Sequence, residues 1–224
     1  MKRKNIPIFT ASLMLSVSAI NAQVALELPS NYLSNNTKGG INTLPENIQG
    51  NAYLPAEFTN GMVKVGDERP YPALLRYNMY ADEIEVNTGN GTSALFKREY
   101  VQATINGQRF VIHSYEKEGG TALGYFEVLN DGDSQLLKRH ESRYIPEQPA
   151  ASSYARDIPA QFKTTVTYFL KSKGQPAQEV KLRKKDILEA LVENDKAGQY
   201  AKSNKLDLKS EKDVVTLLNY CNAL

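Results

Sequence analysis

The 224-residue sequence predicts an α+β protein, mainly an antiparallel curved β-sheet or meander followed by C-terminal amphipathic helices. Two observations favour this fold class. Between residues 61 and 170, short runs rich in β-branched and aromatic residues are separated by tight-turn signals. After residue 171, the apolar period changes from that of a strand to that of a helix. We therefore expect roughly seven to nine strands, with the helices packed at one end of the sheet.

Residues 1–22 are typical of an export signal. Positions 2–4 are basic, residues 6–20 are mostly apolar, and Ala22 supplies a small residue at a plausible cleavage point. The apolar run is too short for a membrane span, which takes roughly 20 predominantly apolar residues. The cysteine that anchors bacterial lipoproteins is missing there. The sequence thus predicts a periplasmic or extracellular protein with no membrane span and no lipid anchor.

Residues 23–60 predict a flexible lead-in, because they are rich in Asn, Gly, Ser and Pro and show no sustained apolar period. A β domain follows over residues 61–170. Its expected strands cover 62–65, 73–78, 79–86, 100–105, 109–115, 123–129, 135–144 and 162–170. The turn signals Asn106-Gly107 and, at 130–133, Asn-Asp-Gly-Asp predict antiparallel hairpins. Three prolines within residues 145–159 predict a connector.

Residues 171–224 predict a helical segment packed on the β domain. The expected helices cover 186–192, 195–203 and 210–219. The last helix opens with Ser210 and Asp213 at capping-box spacing. The stretches 182–191 and 208–218 resemble each other. Either the duplication of a helical unit or the convergence of two helix starts on similar residues explains this resemblance.

The charge of the chain disfavours nucleic acid as a partner. The sequence has 27 basic and 25 acidic residues, and three of the basic residues lie in the predicted signal. The exported chain therefore carries a net charge near −1 and lacks the basic stripe that phosphate binding requires. A single cysteine excludes an intramolecular disulfide.

The sequence predicts no catalytic residue, no cofactor and no metal. A nucleophile needs a nearby base, and the two histidines are interpreted as half-buried and structural (His113) and as solvated (His140). Cys221 lies on the apolar face of a predicted helix, which indicates packing rather than reactivity. Zinc ligands do not occur at zinc-site spacing, and a hairpin turn explains Asp131-Gly132-Asp133 better than a calcium loop does.

Paired carboxylates remain an alternative, since a sequence does not give the distance between them. Asp82, Glu83 and Glu85 form the densest acidic group. We interpret them as a solvated face that protects the sheet from edge pairing. A hydrolase that uses these carboxylates or His113 is the third-ranked functional alternative.

The most distinctive stretch is residues 74–85, Leu-Leu-Arg-Tyr-Asn-Met-Tyr-Ala-Asp-Glu-Ile-Glu. With Gly-Tyr-Phe-Glu-Val-Leu at 124–129 and the Lys-rich helical tail, it resembles an uncharacterised family of exported envelope proteins of Gram-negative bacteria. The resemblance covers most of the chain from about residue 53 and implies location and organisation, but no defined activity. The candidate interaction residues in this stretch are Arg76, Tyr77, Asn78, Tyr80, Asp82, Glu83 and Glu85.

These observations predict a non-enzymatic envelope protein with an accessory, protein-binding role, whose partner is another envelope protein or a surface component. Thirteen tyrosines favour interfaces, because a tyrosine combines an apolar ring with a polar tip. Filling of half-buried sheet faces explains them equally well. The second-ranked alternative is a small-molecule or lipid binder that uses an apolar cavity inside the curved sheet, lined by residues 100–129.

Overall fold

The computed structural model describes residues 27–35, 48–150, 156–191 and 194–224. The predicted export signal and part of the predicted lead-in lie outside the described residues. Within the described ranges, eleven strands form one antiparallel sheet, which is open and curved, and three helices lie near the C-terminus. The α+β class, with its curved antiparallel sheet and C-terminal helices, is confirmed at this level, and the sheet has more strands than the sequence predicts.

The strands are β1 (Leu33–Ser34), β2 (Tyr53–Val65), β3 (Tyr71–Asn78), β4 (Glu83–Asn87), β5 (Thr92–Leu95), β6 (Val101–Ile105), β7 (Gln108–Lys117), β8 (Gly120–Val128), β9 (Ser134–Ile145), β10 (Gln161–Ser172) and β11 (Gln178–Val180). Their order across the sheet is β1-β5-β4-β3-β2-β6-β7-β8-β9-β10-β11. A short 3₁₀ turn, Ser30–Tyr32, precedes β1. The helices are α1 (Lys184–Glu189), α2 (Asn194–Ser203) and α3 (Glu211–Cys221).

The sequence does not predict β1, β5 or β11, which have four residues or fewer each. It also starts β2 too late. Tyr53 pairs with Asn78 and Leu54 with Tyr77, so the strand begins inside the segment predicted as lead-in, before an irregularity that ends at Thr59. Pairing with β3 therefore extends β2 into a stretch whose own residues give little strand signal.

The Asn106-Gly107 turn is confirmed. Both residues have positive φ, 50° and 79°, as the turn between two directly connected antiparallel strands requires. The predicted strand over residues 79–86 is wrong in its first half. Met79 to Asp82 form a turn, and Asp82 itself has a φ of 55°.

The first core is formed by side chains of the strands from β2 to β8 and is filled by them. Its largest fully buried residues are Leu75, Tyr77, Ile84, Ile105, Phe110, Ile112 and Tyr125. Tyr77 contacts the rings of Phe110 and Tyr125, with centroids 5.3 and 6.0 Å apart. The interior lined by residues 100–129 thus holds packed side chains where the small-molecule alternative predicts a cavity.

The sheet curls so far that the segment before β11 returns to β7. The N–H of Ala177 donates to the carbonyl of Ser114 at 2.8 Å, and the N–H of Glu116 donates to the carbonyl of Ala177 at 3.2 Å. A second core lies inside this curl, where Phe126 packs edge-on against Tyr115 and Phe169. The curl brings β7, β9, β10 and β11 around one hollow, described below.

The third core joins the helices to β9, β10 and β11. Glu211 at the start of α3 accepts a hydrogen bond from the Tyr168 hydroxyl at 2.5 Å and pairs with Lys138 at 3.0 Å. The expected capping box does not form, because Asp213 accepts the N–H of Asp207 instead. Cys221 is half-buried beside this core. None of the helices in the described ranges is long and apolar enough to cross a membrane.

Candidate functional site

The seven candidate interaction residues lie at the β3–β4 turn, and most of them face inward. Six are buried or half-buried: Arg76, Tyr77, Asn78, Asp82, Glu83 and Glu85. Only Tyr80 is largely exposed, at 40%. The interpretation of the three carboxylates as a solvated face is therefore wrong, since Glu83 and Glu85 are only 9% and 3% exposed.

Glu85 binds Arg76 across the β3–β4 pair. The Nε of Arg76 lies 2.8 Å and its Nη2 2.7 Å from Glu85 Oε2, and the Asn78 amide donates to Oε1 at 2.8 Å. The guanidinium of Arg76 also stacks on the Tyr53 and Phe58 rings, at 3.6 and 4.2 Å from their centroids. Arg76 therefore balances the charge of Glu85 within the sheet, and both carboxylate oxygens already accept hydrogen bonds from Arg76 or Asn78.

The Asp82 carboxylate is the centre of a larger group that we call the Asp82 cluster: Tyr77, Asp82, Lys97, Arg139 and the backbone of Tyr125. Oδ1 accepts the Tyr77 hydroxyl at 2.8 Å and the Tyr125 N–H at 3.2 Å. Oδ2 lies 2.7 Å from Lys97 Nζ and 3.6 Å from Arg139 Nη2. One side chain thus joins the β3–β4 turn to three distant parts of the chain.

The cluster occupies the point at which β8 and β9 separate. These strands pair only at Glu127–Lys138 and Val128–Leu137. Beyond these two pairs, the N–H of Tyr125 donates to Oδ1 of Asp82, and the N–H of Ser142 donates to the carbonyl of Met79 at 3.1 Å. Burial and the neighbouring Asp82 charge raise the pKa of Tyr77 well above its usual 10, so its hydroxyl keeps its proton.

The side chains of Asp82, Glu85 and His113 contact different residues. Asp82 belongs to its cluster and Glu85 to Arg76, whereas the His113 ring lies 6.5 Å from that of Phe126. Burial, followed by the charge of Lys171, lowers the pKa of His113. His113 is half-buried, as the sequence predicts.

His140 is not solvated, contrary to the sequence-based interpretation. Its side chain is 12% exposed, and Nε2 lies 2.7 Å from Oε2 of Glu127. Gln108 donates to Oε1 of Glu127 at 2.9 Å. Burial alone would raise the pKa of Glu127, but the bonds from His140 and Gln108 outweigh it, and the pKa is lowered.

The outer edge of β10 lacks a partner strand over its middle part, within the described residues. β9 pairs with β10 along its whole length, but β11 covers only positions 168–170 of the opposite edge. At the other end, Gln49 bonds to Ala160 and Phe162. The stretch Lys-Thr-Thr-Val-Thr, residues 163–167, lies between these two covered ends, and we call it the open edge.

On the open edge, every second residue directs its backbone N–H and carbonyl away from the sheet. The N–H of Phe162 donates outward to Gln49. Because strand backbone groups alternate in direction, those of Thr164 and Val166 point outward too. The side chains are also accessible: positions 163–166 are exposed, and Val166 is 46% exposed although it is apolar.

Two hollows follow the open edge on the face that carries Thr165. The first, about 510 Å³, is lined by Tyr80, Glu141, Ser142, Arg143, Lys163 and Thr165. The second, about 710 Å³, is lined by Tyr115, Glu116, Lys117, Glu118, Arg139, Glu141, Thr167, Phe169, Gln178 and Glu179. They meet at Glu141, and we call them together the trough. In the part of the chain that the structure describes, no three His, Cys, Asp or Glu residues could together hold a metal ion.

The Asp131-Gly132-Asp133 stretch serves as a turn in the structure. The two aspartates pair with cations outside the turn, Arg109 and Lys173. The Asn222 amide donates to the carbonyl of Asp131 at 3.0 Å, which ties the end of α3 to this turn.

No protein-family model, no curated protein and no solved structure matches this chain.

Sequence reasoning finds β10 but not its open edge. The exposed, β-branched run at 163–167 was a usable signal, because a strand that is polar on both faces is typical of a sheet edge. Lys97, Arg139 and Glu127 gave no comparable signal. Their partners Asp82 and His140 are distant in sequence, and only the fold brings them together.

The Asp82 cluster predicts a large loss of stability for Asp82→Asn. Asparagine tolerates the positive φ of this position, so the substitution tests the charge. It leaves Lys97 and Arg139 with a weaker partner. Because the side chains of Asp82 and Lys97 are 16% and 28% exposed, we expect a loss of about 2 kcal/mol, less than for a fully buried ion pair. Urea unfolding should show this loss, whereas Asp67→Asn, at an exposed turn position, should change stability by less than about 0.5 kcal/mol. Equal stability of the two variants would contradict the role given to Asp82.

The Glu127–His140 contact predicts a pH-dependent contribution to stability. The folded state lowers the pKa of Glu127 below its usual 4.5. Its stabilising effect is therefore present above about pH 4.5 and disappears as the pH falls through the lower folded-state value. Glu127→Gln should reduce the free energy of unfolding at pH 7, and its difference from the unsubstituted protein should shrink at about pH 3. The exposed Glu57 provides the control substitution, Glu57→Gln. A difference for Glu127→Gln that stays constant between the two pH values would refute the assignment.

Proposed function

We propose that this protein is an exported, non-enzymatic envelope protein that binds another polypeptide by adding it as a strand to the open edge of β10. The observation that carries this proposal is the stretch at residues 163–167, between Gln49 at one end and β11 at the other, which no other described residue covers. An added strand bonds to the backbone of an exposed sheet edge, and its alternate side chains give specificity.

The open edge has the size of a short binding segment. Five residues of antiparallel strand extend over roughly 17 Å. Thr164 and Val166 each offer one outward N–H and one outward carbonyl, so an extended segment forms up to four backbone hydrogen bonds there. The trough lies along the same edge and receives the side chains on one face of such a segment.

The same features limit unspecific pairing. Long, flat and apolar edges aggregate, and natural proteins shorten them or place charged side chains on them. Here the uncovered stretch is short, it is closed at both ends, and it carries Lys163. These properties favour one defined partner segment over open-ended sheet growth.

Export of the protein is supported by residues 1–22, which are typical of an export signal. Its location in the envelope is supported by the family resemblance of residues 74–85. The partner is then another envelope protein or a surface component. The packed interior weighs against the small-molecule alternative. The separate contacts of Asp82, Glu85 and His113 weigh against the hydrolase alternative.

The outward N–H of Val166 provides the test. Proline at this position removes that donor without removing a bond to β9, because edge strands tolerate proline where the N–H faces solvent. Val166→Thr keeps the donor and is the matched control. The full chain is expressed in a Gram-negative host with a photo-crosslinking amino acid at position 165, or at the exposed Lys209 of the helical segment. The mass of the exported protein should correspond to a chain that starts at Gln23.

We expect a discrete protein adduct from position 165 that persists in Val166→Thr and falls about tenfold in Val166→Pro, a loss equivalent to one backbone hydrogen bond. Position 209 should give no such adduct. Equal adduct yields in the two Val166 variants, or adducts from position 209 alone, would place the interaction elsewhere. Retention of the uncleaved chain in the cytoplasm would contradict export.

A further inference from the structure

The trough carries opposite charges at its two ends. At the end near Thr167, the second hollow is lined by Glu116, Glu118 and Glu179, with Lys117 as the opposing cation. The remaining two charged residues of this hollow, Arg139 and Glu141, pair with each other at 3.2 Å. This end of the trough is therefore acidic.

The other end is basic. Arg143 and Lys163 lie directly opposite each other on β9 and β10, and both are exposed. Among the described residues lining the first hollow, Glu141 is the carboxylate, and it shares Arg139 with Asp82. The open edge thus runs from a basic end at Lys163 to an acidic end beyond Thr167.

Building on the proposed function, we propose that the segment bound at the open edge is an extended peptide with a basic residue followed four positions later by an acidic residue. Side chains of an added strand that lie beside Lys163, Thr165 and Thr167 point to the trough face, because strand side chains alternate. Residues four positions apart therefore reach its two ends.

The direction of the peptide follows from strand pairing. β9 and β11 both run antiparallel to β10, whereas Gln49 forms a single parallel bridge with Gln161. We choose the antiparallel direction because it is the more stable kind of pairing per residue. An added strand of this direction begins beside Thr167 and ends beside Lys163. Its basic residue then lies in the acidic end of the trough and its acidic residue beside Arg143.

An exposed aromatic side chain at the basic end fits this occupant. Tyr80 is 40% exposed and gives the aliphatic stem of a long charged side chain apolar surface, whereas Tyr115 and Phe169 at the acidic end are only 5% and 4% exposed and belong to the second core. The centre of the trough, at Thr165 and the paired Glu141, accommodates a small polar residue.

Three synthetic peptides test the proposal on the purified mature protein. They are blocked at both ends and labelled with the same fluorophore, and their sequences are TKVTVETG, TEVTVKTG and TSVTVSTG. The first has the proposed order of charges, the second has the reverse order, and the third is uncharged. Fluorescence anisotropy at about 0.05 and 0.5 M salt gives the affinities.

We expect the first peptide to bind about tenfold more tightly than the second at low salt, with the third between them, since two partly exposed ion pairs together give a preference of this size. High salt should reduce the preference. The double variant Glu118→Gln/Glu179→Gln should lose most of it, whereas Glu57→Gln on β2 should keep it. Val166→Pro should weaken the binding of all three peptides.

The outcomes separate this inference from the proposed function. Equal binding of the three peptides, weakened by Val166→Pro, would overturn the charge order and leave strand addition standing. Tighter binding of the second peptide would overturn the proposed direction. Binding that Val166→Pro does not change, or no binding of any peptide, would overturn both the inference and the strand-addition proposal.

Discussion

The architecture depends on how the chain separates β8 from β9 and gives the freed backbone N–H groups of Tyr125 and Ser142 new partners. Two paired positions join these strands, and beyond them each strand needs new partners for its backbone. Asp82 supplies the partner for Tyr125 in β8, and Met79, three residues before it, supplies the partner for Ser142 in β9. Lys97 and Arg139 balance the buried charge of Asp82. The turn between β3 and β4 thereby fills the gap between the ends of β8 and β9.

The open edge has a different origin. β9 pairs with β10 along its whole length, whereas β11 covers only positions 168–170 of the opposite edge, and the second core packs against the base of this β9–β10 pair. Arg139 lies at the junction, where it binds Asp82 on one side and Glu141 in the trough on the other. The motif that the sequence singled out is therefore the support of the candidate binding surface, and the surface itself lies on β10.

Local signals in the sequence predict much of the fold. The turn at Asn106-Gly107, the strand around residues 162–170 and the helix ending near Cys221 all follow from short-range chemistry or periodicity. The features of the fold that the sequence could not predict depend on contacts between residues that are distant in the chain. The start of β2 depends on pairing with β3, and the burial of Asp82 and Glu85 depends on cations that only folding brings near. Acidic residues in a strand look alike in sequence whether solvent or an arginine faces them.

Among the described residues, Thr164 and Val166 have no backbone partner at the outer edge of β10, while their neighbours bond to β9. Residue-resolved hydrogen exchange of the purified protein tests this directly. We expect an alternating pattern, with fast exchange at the amides of Thr164 and Val166 and slow exchange at Lys163, Thr165 and Thr167. Slow exchange at all five amides would mean that another part of the chain already covers this edge and that no strand can be added there.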